Sequence, residues 1–344
     1  MRKKYLIWAV VAVAIIMVGY LTISRIQQNS NQSVSSNQEK ILDVKLGLSI
    51  QPSNGLLWVA VDKNFFLEEG LNVQVQEFAA GKLALQAMLG GSVDLTTPAE
   101  FPVVLASVNG EKLSILTQVN ETSGGFPMIF RKDNEETFNT STYFIKKRKI
   151  GTSVGGGPEY FTQDFFNKYQ IKPSQYEIVG MKPEDLPIAL VNGSIDAMAI
   201  FEPFTHFAIE RAGAENLFVI YDEDLYSETI VLTGKTDWVK THNEEVNRFI
   251  RALKKSYDFI KSNPDEAMTS VALHTKLDLA TVISIWPTFT YELGLQKKLI
   301  ASMENEAKWA SETGKTKNEI SGIDFQQILF PEPLQALLPG LVNL

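Results

Sequence analysis

The chain contains no cysteine and only three histidines among its 344 residues. Without thiols there can be no disulfide, thiolate metal site, cysteine nucleophile or cysteine-linked lipid anchor. His206, His242 and His274 stand apart, with no pair at i and i+4, so a histidine metal site has no framework. Positive charge is also short. Thirty-two Lys+Arg face 40 Asp+Glu, a formal net charge of −8. That balance argues against a nucleic-acid binder, whose phosphate contacts need clustered Lys and Arg. What remains, 44% apolar and 21% charged, is an ordinary globular composition, long enough for two domains or two lobes of one domain.

The first feature present is apolar. Tyr5 to Ser24 is a run of 20 uncharged residues between Arg2-Lys3-Lys4 and Arg25. Such a run in a helix rises about 30 Å, the thickness of a hydrocarbon core. A cleaved signal peptide is the alternative, but the run is longer than a signal core and its exit offers no small-x-small cleavage site. Residues 1–25 are therefore expected to be one transmembrane anchor with its basic end in the cytoplasm, leaving the rest of the chain extracytoplasmic. Residues 26–40, rich in Gln, Ser and Asn, are expected to be a flexible linker.

From Ile41 onward strand and helix patterns alternate, which predicts an α/β fold with mostly parallel sheets. Strands are expected at Val44–Ile50, Asn72–Phe78 and Val93–Thr96, with a helix over Gly81–Leu89. The chain also repeats itself. Ala87-Met88-Leu89-Gly90-Gly91-Ser92-Val93-Asp94 matches Ala189-Leu190-Val191-Asn192-Gly193-Ser194-Ile195-Asp196, and each copy leads to a Glu six residues on, Glu100 or Glu202. At the same offset the turn Gln51–Gly55 falls on Ser153–Gly157. The repeat predicts two similarly built lobes: lobe 1 from 41–130 and 230–344, and lobe 2 from 131–229. Their crossings, near Phe126–Arg131 and Thr229–Thr233, are expected to form a hinge. Later helices follow, one with Val246, Phe249, Ile250, Leu253, Tyr257 and Ile260 on one face.

Catalytic motifs are weak. Gly151-Thr152-Ser153-Val154-Gly155 matches the nucleophile elbow, yet every histidine falls in or at the start of an expected helix, so Ser153 reads as a turn residue. Gly234-Lys235-Thr236 lacks the first glycine of a phosphate-binding loop. Asp222-Glu223-Asp224 lacks calcium-loop spacing and reads as a solvated acidic turn, as Lys146–Lys149 reads as a solvated basic edge. No cofactor, metal or catalytic residue is expected.

Four helix starts remain, and they point to binding. In lobe 1 they bring Gln51, Ser53 and Asn54, then Thr97 and Glu100. In lobe 2 they bring Gly155, Gly156 and Gly157, then Phe201 and Glu202. Unpaired N–H groups and the positive helix end receive small anions without Arg or Lys. Trp58, Phe101 and Phe201 are candidate apolar walls. None of the four turns holds a cation and three hold Glu (Glu100, Glu159, Glu202), so a monoanion is tolerable. A zwitterion with its ammonium near Glu100 or Glu202 is expected to fit better.

A family resemblance follows from these residues. Leu57-Trp58-Val59-Ala60-Val61-Asp62-Lys63-Asn64-Phe65-Phe66, Glu69-Gly70-Leu71-Asn72-Val73, the two Gly-Ser-aliphatic-Asp turns, Lys149-Ile150-Gly151 and Phe201-Glu202-Pro203 belong to it. Over about Asp43 to Trp309 the chain resembles substrate-binding proteins of ABC importers of the nitrate/sulfonate/taurine type, relatives of thiamine-pyrimidine-precursor binders. The resemblance implies a two-lobed periplasmic-binding-protein-like fold (type II), no catalysis, a small-molecule ligand, and delivery to a permease with a cytoplasmic ATPase. Binding a thiamine-related pyrimidine precursor, or sensing ligand for a membrane signalling partner, are alternatives. A pyrimidine-synthesis enzyme shares the fold, but the His and Cys that matter there fit a Cys-free exported chain poorly. Phe201 stands where many relatives have Trp, and the glycine triplet lacks the hydroxyl that follows Gly in anion-binding relatives.

If residues 1–25 anchor the chain, membrane fractions will hold full-length protein that alkaline carbonate does not extract. A soluble mature form starting near residue 25 would contradict this.

Overall fold

The computed structural model describes residues 40–122, 126–132, 137–222, 224–316 and 323–344. The expected anchor, and the linker up to residue 39, lie outside them. Among the described residues no helix is long and apolar enough to cross a membrane. Residues Leu42–Leu344 form one unit holding two large sheets and a two-strand pairing of Leu295–Gln296 with Val342–Asn343.

The first half of the chain supplies β1 (Leu42–Ser49), β2 (Leu71–Phe78), β3 (Leu95–Thr96) and β4 (Leu113–Thr122). Then come β5 (Met128–Arg131), β6 (Arg148–Thr152), β7 (Tyr176–Gly180), β8 (Ala197–Ala199) and β9 (Leu217–Ile220). The chain returns with β10 (Glu228–Lys235) and later β11 (Phe289–Thr290). The first sheet has the order β11-β4-β10-β3-β1-β2, and the second β7-β6-β8-β5-β9. Strand β1 is flanked in parallel by β2 and β3, and β6 in the same way by β7 and β8.

The sheets are mixed rather than mostly parallel. Strand β10 runs antiparallel to β3 and β4, and β5 antiparallel to β8 and β9. Each is where the chain arrives from the other sheet and lays a strand against the local parallel set. The crossings accordingly fall between β4 and β5 and between β9 and β10. Thr229–Thr233 lies inside β10 of the first sheet, and Met128–Arg131 inside β5 of the second.

Val44, Leu46 and Leu48 of β1 are fully buried, as a strand covered on both faces requires. The helices that cover the sheets are α1 (Gly55–Asp62), α2 (Gly81–Leu89), α3 (Glu100–Val108), α4 (Gly157–Lys168), α5 (Leu186–Val191) and α6 (Phe204–Ala212). They are joined by α7 (Asn243–Ser262), α8 (Pro264–Thr275) and α9 (Lys297–Glu312). Helix α1 is apolar almost all round and is sandwiched against α7 and α8, as such a helix must be. On α7, Val246, Phe249, Ile250, Leu253 and Ile260 are buried as a stripe. The second sheet has Phe161 and Phe165 on one face and Leu186, Leu190 and Ile195 on the other.

The internal repeat is one structural device made twice. Asp94 Oδ2 accepts Lys45 N–H at 2.8 Å, and Asp196 Oδ2 accepts Lys149 N–H at 2.8 Å. The backbone N–H of each Asp donates in turn to the carbonyl of the same Lys, again at 2.8 Å. The carboxylate thus extends the ladder where β3 or β8 begins.

Lys146, Lys147, Lys149 and Asp224 are exposed as expected, but one charge in each of these two runs is not. Arg148 is 4% exposed, donates through Nε to Tyr143 O at 2.7 Å, and lies 3.6 Å from Asp196 Oδ1. Asp222 is buried and accepts from Lys168 Nζ at 2.7 Å and Tyr169 OH at 3.0 Å. Neither charge is solvated, because each caps a seam between elements.

Gly151 of β6 has Ile195 Cδ1 and Leu186 Cδ2 at 2.5 and 2.6 Å from where a Cβ would sit. Gly151→Val is expected to cost about 1–3 kcal/mol through overpacking. It should lower the urea midpoint without changing the slope.

Candidate functional site

The loops following β1, β2 and β3 of the first sheet face those following β6 and β8 of the second. Between them lies a cavity of about 30 Å³, room for one or two water molecules. The two lobes are closed on one another around it.

From the first sheet come Gln51, the Ala80-Gly81-Lys82 start of α2, Thr97 and Ala99. Gln51 is 7% exposed. Its Oε1 accepts from Ser49 Oγ at 3.1 Å, and its Nε2 has no partner among the described residues. A buried amide left half-paired costs stability, on the order of 1–3 kcal/mol. Thr97 Oγ1 donates to Asn54 Oδ1 at 2.6 Å, and Asn54 Nδ2 donates to Ser49 O and Oγ, both at 2.9 Å. Asn54 therefore ties the two loops together from behind. Gly81 lets the start of α2 pack closely on the next loop: a Cβ there would meet Pro98 Cα at 3.0 Å.

Lys82 reaches across the cleft. Its Nζ donates to Ser153 Oγ at 3.1 Å and Val154 O at 2.7 Å. Burial lowers its pKa below the usual lysine range, while Glu159 opposes that shift.

From the second sheet come Ser153, Gly156, Gly157, Pro158 and Phe201. Gly157 opens α4, so its N–H has no partner within the helix. Gly155 N–H is taken by Glu159 Oε2 at 2.8 Å, and Lys315 Nζ holds Glu159 Oε1 at 2.7 Å. Glu202 Oε2 accepts His206 N–H at 2.9 Å, and burial pushes its pKa up to about 7 against that bond.

Of the expected site residues, Gln51, Thr97, Gly156, Gly157 and Phe201 line the cavity; Ser53, Asn54, Trp58, Glu100, Phe101, Gly155 and Glu202 do not. Trp58 is 1% exposed, donates through Nε1 to Gln51 O at 3.1 Å and stacks on His274. Phe101 is fully buried in an aromatic cluster with Tyr160 and Trp309. Glu100 has no exposed surface; its Oε2 accepts Thr229 N–H at 2.9 Å and its Oε1 accepts Tyr226 OH at 3.1 Å. The expectation that Glu100 or Glu202 awaits a ligand ammonium therefore meets carboxyls already held by their surroundings.

Sequence reading passed over Lys82 and Glu228. The Gly81-Lys82 start follows β2 as directly as the other helix starts follow their strands, so the same rule could have found it. Glu228 carries no local signal. Its carboxyl comes to the cavity because β10 crosses from the other lobe, and a Cβ on Gly157 would meet Glu228 Oε1 at 2.5 Å.

Two sheet-bearing lobes with a donor-rich cavity between their facing loops define a mixed α/β fold of the periplasmic-binding-protein type. The chain belongs to the NMT1/THI5-like family, whose model matches residues 51–267. It is 24% identical over 237 residues to a Bacillus subtilis (strain 168) protein provisionally described as aliphatic sulfonates-binding, covering 68% of this chain and 70% of that one. It is 22% identical over 209 residues to the taurine-binding periplasmic protein of Escherichia coli (strain K12), covering 59% of this chain and 62% of that one. Its fold matches the periplasmic aliphatic sulphonate binding protein SsuA from Escherichia coli with a TM-score of 0.71 at 16% identity, over 84% of this chain and 92% of that one. These three are named as binding proteins. Among the described residues no group of His, Asp and Glu could hold a metal ion.

The buried carboxyls set a pH dependence. Burial raises the pKa of Glu100 to about 8, with repulsion from Glu121 adding and its hydrogen bonds opposing. Glu202 stands near 7. Both start from an ordinary 4.5, so between about pH 5 and 8 the folded state keeps protons the unfolded chain releases. Stability is therefore highest at the acid end of this window and lost as pH rises through it. The melting temperature should fall by several degrees from about pH 5.5 to 8. A rise over that interval contradicts the assignment.

Proposed function

We propose that this protein is the extracytoplasmic solute-binding component of an ABC importer. It captures a small monoanionic organic solute of the sulfonate type between its lobes and delivers it to a permease. We further read residues 1–25 as the anchor that keeps the binding unit at the outer membrane face. The observation that carries the ligand reading is the unpartnered Gln51 Nε2, buried at the cavity wall beside Lys82 and the Gly156–Gly157 turn. These groups are donors, contributed by both lobes, and an oxyanion is what would satisfy them together. Lys82 supplies the cation that the four helix starts lacked, so a plain monoanion no longer depends on main-chain N–H groups alone.

The cavity is too small for such a solute with the lobes as they stand. Entry requires the lobes to part at the β4–β5 and β9–β10 crossings, breaking the Lys82 bonds to Ser153 and Val154. Ligand contacts to both lobes then restore closure, since only differential affinity shifts such an equilibrium.

Calorimetry with ethanesulfonate, taurine, nitrate and a hydroxymethylpyrimidine tests this. A sulfonate should bind, and Gln51→Ala and Lys82→Ala should each weaken it about 10- to 100-fold, the loss of a charge-assisted hydrogen bond. If the pyrimidine binds and no sulfonate does, the sulfonate reading fails.

A further inference from the structure

Glu228 opens β10, is 6% exposed and lines the cavity. Behind it stand Glu100 of α3 and Glu306 of α9, neither with any exposed surface. Both carboxyl oxygens of Glu306 lack a well-formed hydrogen bond among the described residues, with Glu100 and the Tyr226 hydroxyl as their polar neighbours. Tyr226 completes the cluster, its hydroxyl bonded to Glu100 and 3.0 Å from where a Gly157 Cβ would sit. Tyr160 of α4 packs edge-on against Tyr226. The nearby cations are committed elsewhere. Lys82 of α2 bonds Ser153 and Val154, Lys315 bonds Glu159, and Glu121 of β4 bonds Lys298. Among the described residues none of the three clustered glutamates has an ion-pair partner.

Three carboxylates in a dry lobe junction with no counter-ion would each carry a desolvation cost of several kcal/mol and repel one another. Such a cluster holds protons instead. Burial and the neighbouring Glu100 raise the pKa of Glu228 well above the usual carboxylate range, and burial does the same for Glu306. Of the three, Glu228 is the one that borders the cavity.

The geometry points to Glu228 as a specificity-determining residue that meets the ligand as a neutral carboxylic acid, donating its hydroxyl proton to an oxygen of the bound oxyanion. This rests on the sulfonate reading of the cavity. As an acid Glu228 joins Gln51 Nε2, Lys82 Nζ and the Gly157 N–H as a fourth donor. As a carboxylate it would repel the same ligand. When the lobes part, water reaches Glu228 and it ionises, so closure over an anion takes up a proton. Affinity then falls as pH rises above the open-form pKa of Glu228, by up to about tenfold per pH unit.

The test uses full-length protein in detergent. Ethanesulfonate is titrated at several values between about pH 6 and 8 into wild type, Glu228→Gln and Glu228→Ala. Wild type should weaken across this range and take up protons, seen as a binding heat that depends on the ionisation enthalpy of the buffer. Glu228→Gln, which keeps a neutral donor, should bind within about threefold of wild type at the acid end and with a flatter pH profile. Glu228→Ala should bind more weakly than Glu228→Gln. A tenfold or greater loss for Glu228→Gln at the acid end, or no proton uptake by wild type, overturns the proposal. Infrared spectroscopy at pH 7 reads the proton directly: the carbonyl band of un-ionised carboxylic acid should grow when saturating ethanesulfonate is added to wild type and not when it is added to Glu228→Gln. If a sulfonate binds wild type and the band does not grow, Glu228 is ionised in the complex and this proposal alone is wrong. If no sulfonate binds wild type at any pH, the functional reading fails and this proposal falls with it.

Discussion

Everything in the cleft depends on a carboxylate that completes a backbone ladder. Asp94 and Asp196 each accept the amide of a lysine, in β1 and in β6 respectively, at the end where the parallel neighbour β3 or β8 begins. That contact sets β3 beside β1, and β8 beside β6, in parallel. Parallel neighbours send their connecting loops out at the same edge, which is where ligands collect in such sheets. Because the device is made twice, two loop sets of similar construction face one another. The glycines preceding the two aspartates, Gly91 and Gly193, hold positive φ of 81° and 79°, which lets the chain turn tightly from helix to strand.

The closed cleft is polarised. On the cavity side stand donors: an amide nitrogen, an ammonium and a helix start. On the lobe-junction side stand carboxyls without counter-ions, and burial keeps their protons on. The combination makes the closed state a proton-binding state as well as a candidate anion-binding one. Aromatic rings bridge the same junction. Phe101 and Trp309 pack against Tyr160 from the other side, at centroid separations of 5.7 and 5.4 Å, and Tyr160 in turn packs against Tyr226 at 5.3 Å. Their apolar bulk keeps the junction dry, which is what makes the carboxyls hold protons. Separating the lobes would wet rings and acids together.

Membership in the NMT1/THI5-like family places this chain among proteins with one fold and differing ligands, so its own side chains carry the ligand question. Phe201 presents an apolar wall to the cavity without a polar N–H of its own ring. Lys82 contributes a side-chain cation from a helix start, beside the side-chain amide of Gln51. It does double duty as the interlobe latch, since its two acceptors belong to the opposite sheet.

Read alone, the amino-acid order determined the alternating α/β architecture, the two-lobed repeat and several cavity residues. Each was written in local spacing: apolar runs for buried strands, a Gly-Ser-aliphatic-Asp turn seen twice, glycine triplets at a helix start. Gln51, Thr97, Gly156, Gly157 and Phe201 were legible because they directly follow recognisable strands. The direction of β5 and β10 was not legible, since antiparallel insertion from another lobe leaves no mark on hydrophobic periodicity. The fates of Trp58, Phe101 and Glu100 were also decided by packing, because a residue at a helix start can turn into the cleft or away from it, and these three turn into cores. Glu228 and Glu306 owe their environment wholly to tertiary structure. Nothing within several residues of either one predicts a buried acid, and strand β10 and helix α9 meet at the lobe junction only after the chain has crossed between its sheets twice.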